Sequence, residues 1–319
     1  MPRILRGAGA AGRFTKQNSV SELAAGGTFQ SFNFYSDTFA PGQGLVDDNE
    51  LGAGRHNEVD PTQQAEDLPN PTGQITVALD RNQIGYWLTS MFGAPTSDGA
   101  GPYTHEWTSA VLEPQLLGLE LPLSNEIFRI VDALAVSQMS FSLAPEPGYR
   151  SVTLDTVVRS VRSRNAALSA SVEAAPVRDK ARGGKIQIKV NDTLFGNVLG
   201  GQAQIGNGAF GERYADGDEY FSAIEIGTPS FSVSPQIRVR SGALTMLQLF
   251  DGKTPFTLEL IFAEGANSLS IKASNMVAAP VIPSPQNVGG LEVTPQFMGS
   301  QTADAPMLTI TLVNDVESY

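Results

Sequence analysis

The sequence contains no cysteine, so disulfide bridges, thiolate metal sites and cysteine nucleophiles are excluded together. Histidine is nearly as scarce: His56 and His105 are the only two. A Ser-His-Asp relay would have to use one of them, and no Gly-x-Ser-x-Gly elbow is present. Trp87 and Trp107 are the only tryptophans available to stack a sugar, and Trp87 falls on a helix stripe described below. No apolar run approaches the ~20 residues of a membrane span. Positive charge is short too, with 21 Lys and Arg against 33 Asp and Glu. A formal charge of −12 makes the chain a poor candidate for gripping nucleic acid. The amino terminus, Met1-Pro2-Arg3-Ile4-Leu5-Arg6, has no apolar core behind its basic residues and does not read as a secretion signal.

Helical periodicity is also rare, and one stretch carries the clearest case. Gln74 to Leu79 alternates, with Ile75, Val77 and Leu79 on one face of a strand. Asp80 then reads as a helix N-cap with Gln83 completing an approximate capping box. Ile84, Trp87, Leu88 and Met91 follow at helical spacing, and Gly93 and Pro95 stop the helix. Tyr103–Trp107 alternates again. A single helix laid across a sheet is the expectation.

What remains is strand-like. At 319 residues, a prior of ~150 per domain suggests two domains. Gly7–Gly27 is small and polar and reads as a loose arm. Phe29–Phe39 is aromatic and strand-like. Pro41–Asn70 is acidic, with Asp47, Asp48, Glu50, Glu58, Asp60, Glu66 and Asp67 against Arg55 alone, and reads as a long loop. Strands are predicted at Leu116–Leu123, Glu126–Ala133, Ser137–Leu143 and Ser151–Val161, with a hairpin turn at Pro145–Gly148. Ala166–Pro176 reads as a linker or an edge strand. The second half continues with Lys185–Val190, Phe221–Ile226, Ser230–Arg240, Pro255–Phe262, Ser268–Ala273, Gly290–Phe297 and Met307–Val313. Gln236-Ile237-Arg238-Val239 echoes Gln74-Ile75-Thr76-Val77 (236 − 74 = 162), and each is followed by a short apolar segment ending in glycine, Ile84–Gly93 and Leu244–Gly252. Length alone leaves Leu244–Gly252 open between helix and strand. The fold class is mainly β: two tandem sandwich-like or half-barrel domains with little helix.

Few motifs carry chemistry. Gly7-Ala8-Gly9-Ala10-Ala11-Gly12 has the letters of a dinucleotide loop, but only six residues precede it, too few for the required strand. Asp216-Gly217-Asp218-Glu219 offers hard oxygens for calcium but lacks EF-hand spacing, so an acidic turn is the better reading. Asn191-Asp192-Thr193 is a glycosylation triplet by letter only. Carboxylates are plentiful enough that glycosidase chemistry is not excluded by counting. No catalytic, cofactor-binding or metal-binding residue is assigned.

The order of features says more than any motif. Pro71–Asp80 leads into a helix ending Leu88-Thr89-Ser90-Met91-Phe92-Gly93. Tyr103-Thr104-His105-Glu106, Gln115–Leu123, Ile127-Phe128-Arg129 and Val136–Leu143 follow. Gly184–Asn191, Ala223–Ser230, Pro255–Leu260 and Asn267–Ile271 continue it. This succession, from about Leu45 to Val313, resembles the tail tube (major tail) proteins of long-tailed, non-contractile bacteriophages in their larger two-domain form. The resemblance implies an arm over 1–28, one tube-like domain over 29–176 with its acidic loop 41–70, and a second over 177–319. It implies a non-enzymatic virion protein without cofactors, assembled in the host cytoplasm. Trimeric, pseudo-sixfold rings would stack into a hollow tube for genome ejection, with Gly7–Gly27 and Pro41–Asn70 bridging to neighbours. Partners implied are further copies of the chain, a tape measure protein, a tail terminator and a distal tail protein. Double-stranded DNA would pass through the lumen without specific binding, and no membrane is involved. An acidic wall suits that passage, because it repels phosphate. A capsid decoration, an adhesin domain and a carbohydrate-active enzyme stay open as alternatives.

Overall fold

Alternation with a period of two runs through most of the chain, and the computed structural model turns it into a mainly β architecture with one short helix among the described residues. Residues 11–48, 63–110, 114–124, 126–239, 254–281 and 291–319 are described. The first half contributes β1 (Gly12–Gln17), β2 (Thr28–Phe32), β3 (Ser36–Asp37), β4 (Leu45–Asp48), β5 (Gln63–Glu66), β6 (Thr72–Ala78), helix α1 (Ile84–Phe92), β7 (Thr96–Asp98), β8 (Tyr103–Thr108), β9 (Leu116–Pro122), β10 (Phe128–Ser142), β11 (Ser151–Val157), β12 (Ser160–Arg164) and β13 (Ser171–Glu173). The second contributes β14 (Gln187–Val190), β15 (Thr193–Leu194), β16 (Val198–Gly206), β17 (Phe210–Glu212), β18 (Ala223–Glu225), β19 (Ser230–Val239), β20 (Phe256–Glu264), β21 (Asn267–Ala278), β22 (Leu291–Val293), β23 (Phe297–Gly299) and β24 (Leu308–Asn314).

Two sheets share β10. One runs β12–β10–β9–β1–β2–β13, antiparallel except where β2 meets β13. The other runs β3–β6–β11–β10–β16–β19–β23–β21–β20–β14–β15. β24 pairs with both β21 and β8, so the end of the chain closes against its first half. The halves therefore meet along two ladders, β10 with β16 and β24 with β8.

Strand β10 was expected as two strands, Glu126–Ala133 and Ser137–Leu143. One strand of 15 residues replaces them. It passes from one sheet to the other at Ala133, whose φ is +48° and where the register with β9 shifts between Val131 and Leu134. Ile130 through Val136 are buried on both faces, so alternation disappears there and mimics a break. The same bend divides the expected strand Ser151–Val161 into β11 and β12, which pair with the two ends of β10. Phe29–Phe39 and Gly290–Phe297 are likewise each split in two.

Three further expectations are corrected. Within the stretch read as a loose arm, Gly12–Gln17 is a packed strand between β2 and β9, with Phe14 buried. Its signal was weak because one inward position is Gly12, where a Cβ would lie 2.4 Å from the Phe32 ring. Within the stretch read as a loop, β4 and β5 form a two-stranded ribbon. The helix begins at Ile84 rather than just after Asp80, with no side-chain cap at Gln83. Asp80 instead caps the preceding turn: its carboxylate accepts from the Asn82 N–H at 3.0 Å, and its carbonyl accepts from Ile84 at 2.8 Å. Burial pushes the Asp80 carboxyl above its usual range. The C-terminal stop stands as expected, Gly93 having φ +78°.

Helix α1 fills the space between the sheets. Trp87 meets Phe32 of β2 edge-on at 5.3 Å, while the Ser90 hydroxyl accepts from Val136 of β10. Nearly the whole helix is buried, not one stripe, because both sheets cover it.

Two buried carboxylates tie β1, β9, β10 and β12 to the crossing segments. Glu120, fully buried, accepts from Arg13 at 2.5 Å, the Leu168 N–H at 2.5 Å and the Ser169 hydroxyl at 2.9 Å. Burial alone would raise its carboxyl, but these donors together outweigh it and hold it below the usual range. A depressed carboxyl adds stability above its unfolded-state value and loses it as pH falls through the folded-state value. Glu120→Gln is therefore expected to cost about 1.5–3 kcal/mol near pH 7, the range for hydrogen bonds to a charge. The gap from the parent should narrow as pH falls below the usual carboxylate range. Urea titrations of both proteins at several pH values check this, and a pH-independent gap would refute it.

Candidate assembly surfaces

The residues that invited chemistry are committed to structure. His105 is fully buried; its Nε2–H donates to the Val316 carbonyl at 2.8 Å, leaving Nδ1 to accept from the Ser97 hydroxyl at 2.7 Å. Trp107 is buried and donates to the Gly93 carbonyl, and Trp87 is buried in the helix core, so neither offers a face to a sugar. Asn191 and Asp192 both have positive φ and form the two-residue turn between β14 and β15. In the acidic turn, Asp216 accepts from the Asp218 N–H and the Ser222 hydroxyl, and Asp218 from the Tyr220 N–H and Arg159. The backbone donor is the leading cause that lowers each carboxyl. No metal-binding cluster of His, Asp and Glu occurs among the described residues. A recess near Tyr149 holds Asp179 and Glu264, but Arg81 pairs with Asp179 at 2.5 Å and Arg182 with Glu264 at 3.1 Å. His56, most of Gly7–Gly12 and Leu244–Gly252 lie outside the described residues.

What the topology does build is a pair of long hairpin arms. In the first half the strand through β3 runs back along β6, with bonds from Thr38 to Gln74 and from Ala40 to Thr72. It continues past Gly42–Asn70 and Gly44–Asp67 into the β4–β5 ribbon. In the second half β16 runs along β19, and the ladder continues through Gly208–Gly227 into the β17–β18 ribbon.

The two arms repeat pair for pair. Ala40↔Thr72 corresponds to Gln202↔Ser234 (202 − 40 and 234 − 72 are both 162). Asp48↔Gln63 corresponds to Phe210↔Glu225 at the same shift. The shift equals that of the tetrapeptide echo. The strands behind the arms repeat in order as well. β11 and β12 pair with the two ends of β10, as β23 and β24 pair with the two ends of β21. β6 pairs with β11 as β19 pairs with β22, Ile75↔Leu154 matching Ile237↔Val293.

A family model described as phage tail tube protein matches residues 7–316, nearly the whole chain. The chain belongs to that family. No individual curated protein matches it. A tail tube protein is a structural component of the phage virion, and the family implies self-assembly into a tube. The mainly β fold agrees with that, and no helix among the described residues is long and apolar enough to cross a membrane. For a tail tube protein the surfaces of interest are those that copies present to each other, and here the arms differ sharply.

The second arm lies on the first half of the chain. Asn207 at its base is buried, and its amide donates to Met91 O, a carbonyl at the C-terminal end of α1, and to Val136 O. Ile224 packs with Leu116, Ala133 and Ala135, and Asp218 pairs with Arg159 at 2.5 Å. The first arm touches little: residues 41–47 and 64–68 are exposed, and Leu45 is 65% and Val46 50% accessible. Sequence reasoning found the length and acidity of this segment but not its hairpin.

Proposed function

We propose that the chain is a two-module tail tube protein, with modules over 29–176 and 177–319, three copies of which close into a pseudo-sixfold ring. Rings stack into the hollow tube of a long-tailed, non-contractile phage, and the genome passes through it during ejection. The observation that carries this reading is the arm repeated at a constant shift of 162 residues (202 − 40), which supports reading one chain as two tube modules. Ring closure needs a head-to-tail interface, and a chain with two like modules presents one such interface internally and a second at its ends. The net charge of −12 supports a conduit that does not adhere to DNA, since phosphate contacts through Lys and Arg are what grip a duplex. The protein has no catalytic role and needs no cofactor. It assembles in the host cytoplasm, the tape measure, tail terminator and distal tail proteins being its other partners.

Electron microscopy of the purified full-length chain, with the mass of the smallest closed species, tests the reading. Tubes built from three-copy rings are the expected result. Isolated monomers at every concentration and salt tried would refute it.

A further inference from the structure

We infer that the first arm of one copy docks on the second module of the next copy, repeating between chains the contact that the second arm makes within the chain. The inference rests on the tube reading above and names the surfaces that join the copies.

The observations concern matched positions. Ala135 pairs with Val157, which pairs with Thr72; Ala279 bonds to Gln296, which adjoins the partner of Val233 on β23. The shift of Thr72 to Ser234 therefore places Ala279 at the position of Ala135, and Pro280 at that of Val136. Within the chain the second arm covers Ala135 and Val136, and both are fully buried. Their counterparts Ala279 and Pro280 are exposed. The donor side shows the same contrast. Asn207 is buried against the first half, and its counterpart Leu45 is 65% accessible.

Among the described residues, one half of the repeat thus has an arm without a seat, and the other a seat without an arm. A single copy cannot join them, because its own two modules are already joined through β10 and β16. A second copy supplies what is missing, and the relation is heterologous, the kind of contact from which a closed ring is built when the rotation between copies closes. Beyond the seat, the outward edge of the strand through β3 pairs with no other described strand. In the matching place, β16 pairs with β10. Docking the arm would cover that edge, the usual hazard of a β-rich monomer.

The template gives a specific neighbour pair. The Asn207 N–H donates to the Ser137 carbonyl at 3.0 Å. The corresponding positions are Leu45 on one copy and Val281 on the next. Because the chain has no cysteine, Leu45→Cys with Val281→Cys creates one defined reporter. Oxidation of assembled protein should link copies, and in a closed three-copy ring the covalent ladder ends at three. Each single substitution should give no ladder. A second variant, with residues 44–67 replaced by a short turn, should melt like the parent yet stay monomeric. If the parent forms tubes while the double-cysteine protein assembles unlinked, or the shortened protein still forms tubes, the docking inference is overturned and the tube reading stands. A parent that forms no tubes overturns the tube reading itself.

Discussion

Asp132→Ala is expected to lower stability by about 3–5 kcal/mol, the cost of breaking a buried ion pair by removing one partner. Asp132 is fully buried at the point where β10 leaves one sheet for the other. Its two oxygens accept from the Leu23 N–H at 2.7 Å, the Ser160 hydroxyl at 2.5 Å, and Arg162 at 2.9 and 3.0 Å. Removing the carboxylate leaves a buried N–H, a buried hydroxyl and a guanidinium without their acceptor. Arg162 is 26% exposed and also reaches Glu22 at 3.2 Å, so water and that neighbour relieve part of the cost. Asp132→Asn keeps the shape and should lose less. In urea, the midpoint should fall with the slope unchanged, since the surface exposed on unfolding is nearly the same. A loss under about 1 kcal/mol would mean that the network is dispensable, well below the range for such pairs.

The second large effect is expected from Trp87→Ala, again about 3–5 kcal/mol. The indole is 3% accessible and stands between the sheets, edge-on to Phe32. Truncation removes both the transfer term and the packing of α1 against β2. The helix has nine residues and no side-chain N-cap, so it holds by burial and not by its own propensity. Against a typical total of about 5–15 kcal/mol, either substitution takes a large share. Trp87→Phe, which keeps a ring in place, should cost clearly less. Thermal and urea unfolding of the three proteins decide the matter. A change under about 1 kcal/mol for alanine would place Trp87 outside the core, contrary to the usual cost of a buried Trp.

Much of this fold was legible where one face of an element is buried and the other wet. Ile75, Val77 and Leu79 predicted β6, and Ile84, Trp87, Leu88 and Met91 predicted α1, because burial there follows the period of the element. Legibility failed where that condition fails. Ile130–Val136 is covered on both sides and shows no alternation. Gly12–Gln17 uses a glycine and a single aromatic as its inward residues. Asp80 and Gln83 have the letters of a capping box, yet Gln83 accepts from Asn33 and the helix starts later.

By itself, then, the chain determined its class, helix α1 and a hint of duplication in four residues, since those depend on local period and composition. Only the tertiary structure decided that the duplication extends to two hairpin arms. Pairing partners such as Ala40 and Thr72 are separated by the acidic tip, and their side chains face water, so no apolar pattern marks them. The contrast between a seated arm and an open one is likewise a property of the packed molecule. Ala135 and Ala279 are the same residue type in matching places, and what differs is whether a strand of this chain lies over them.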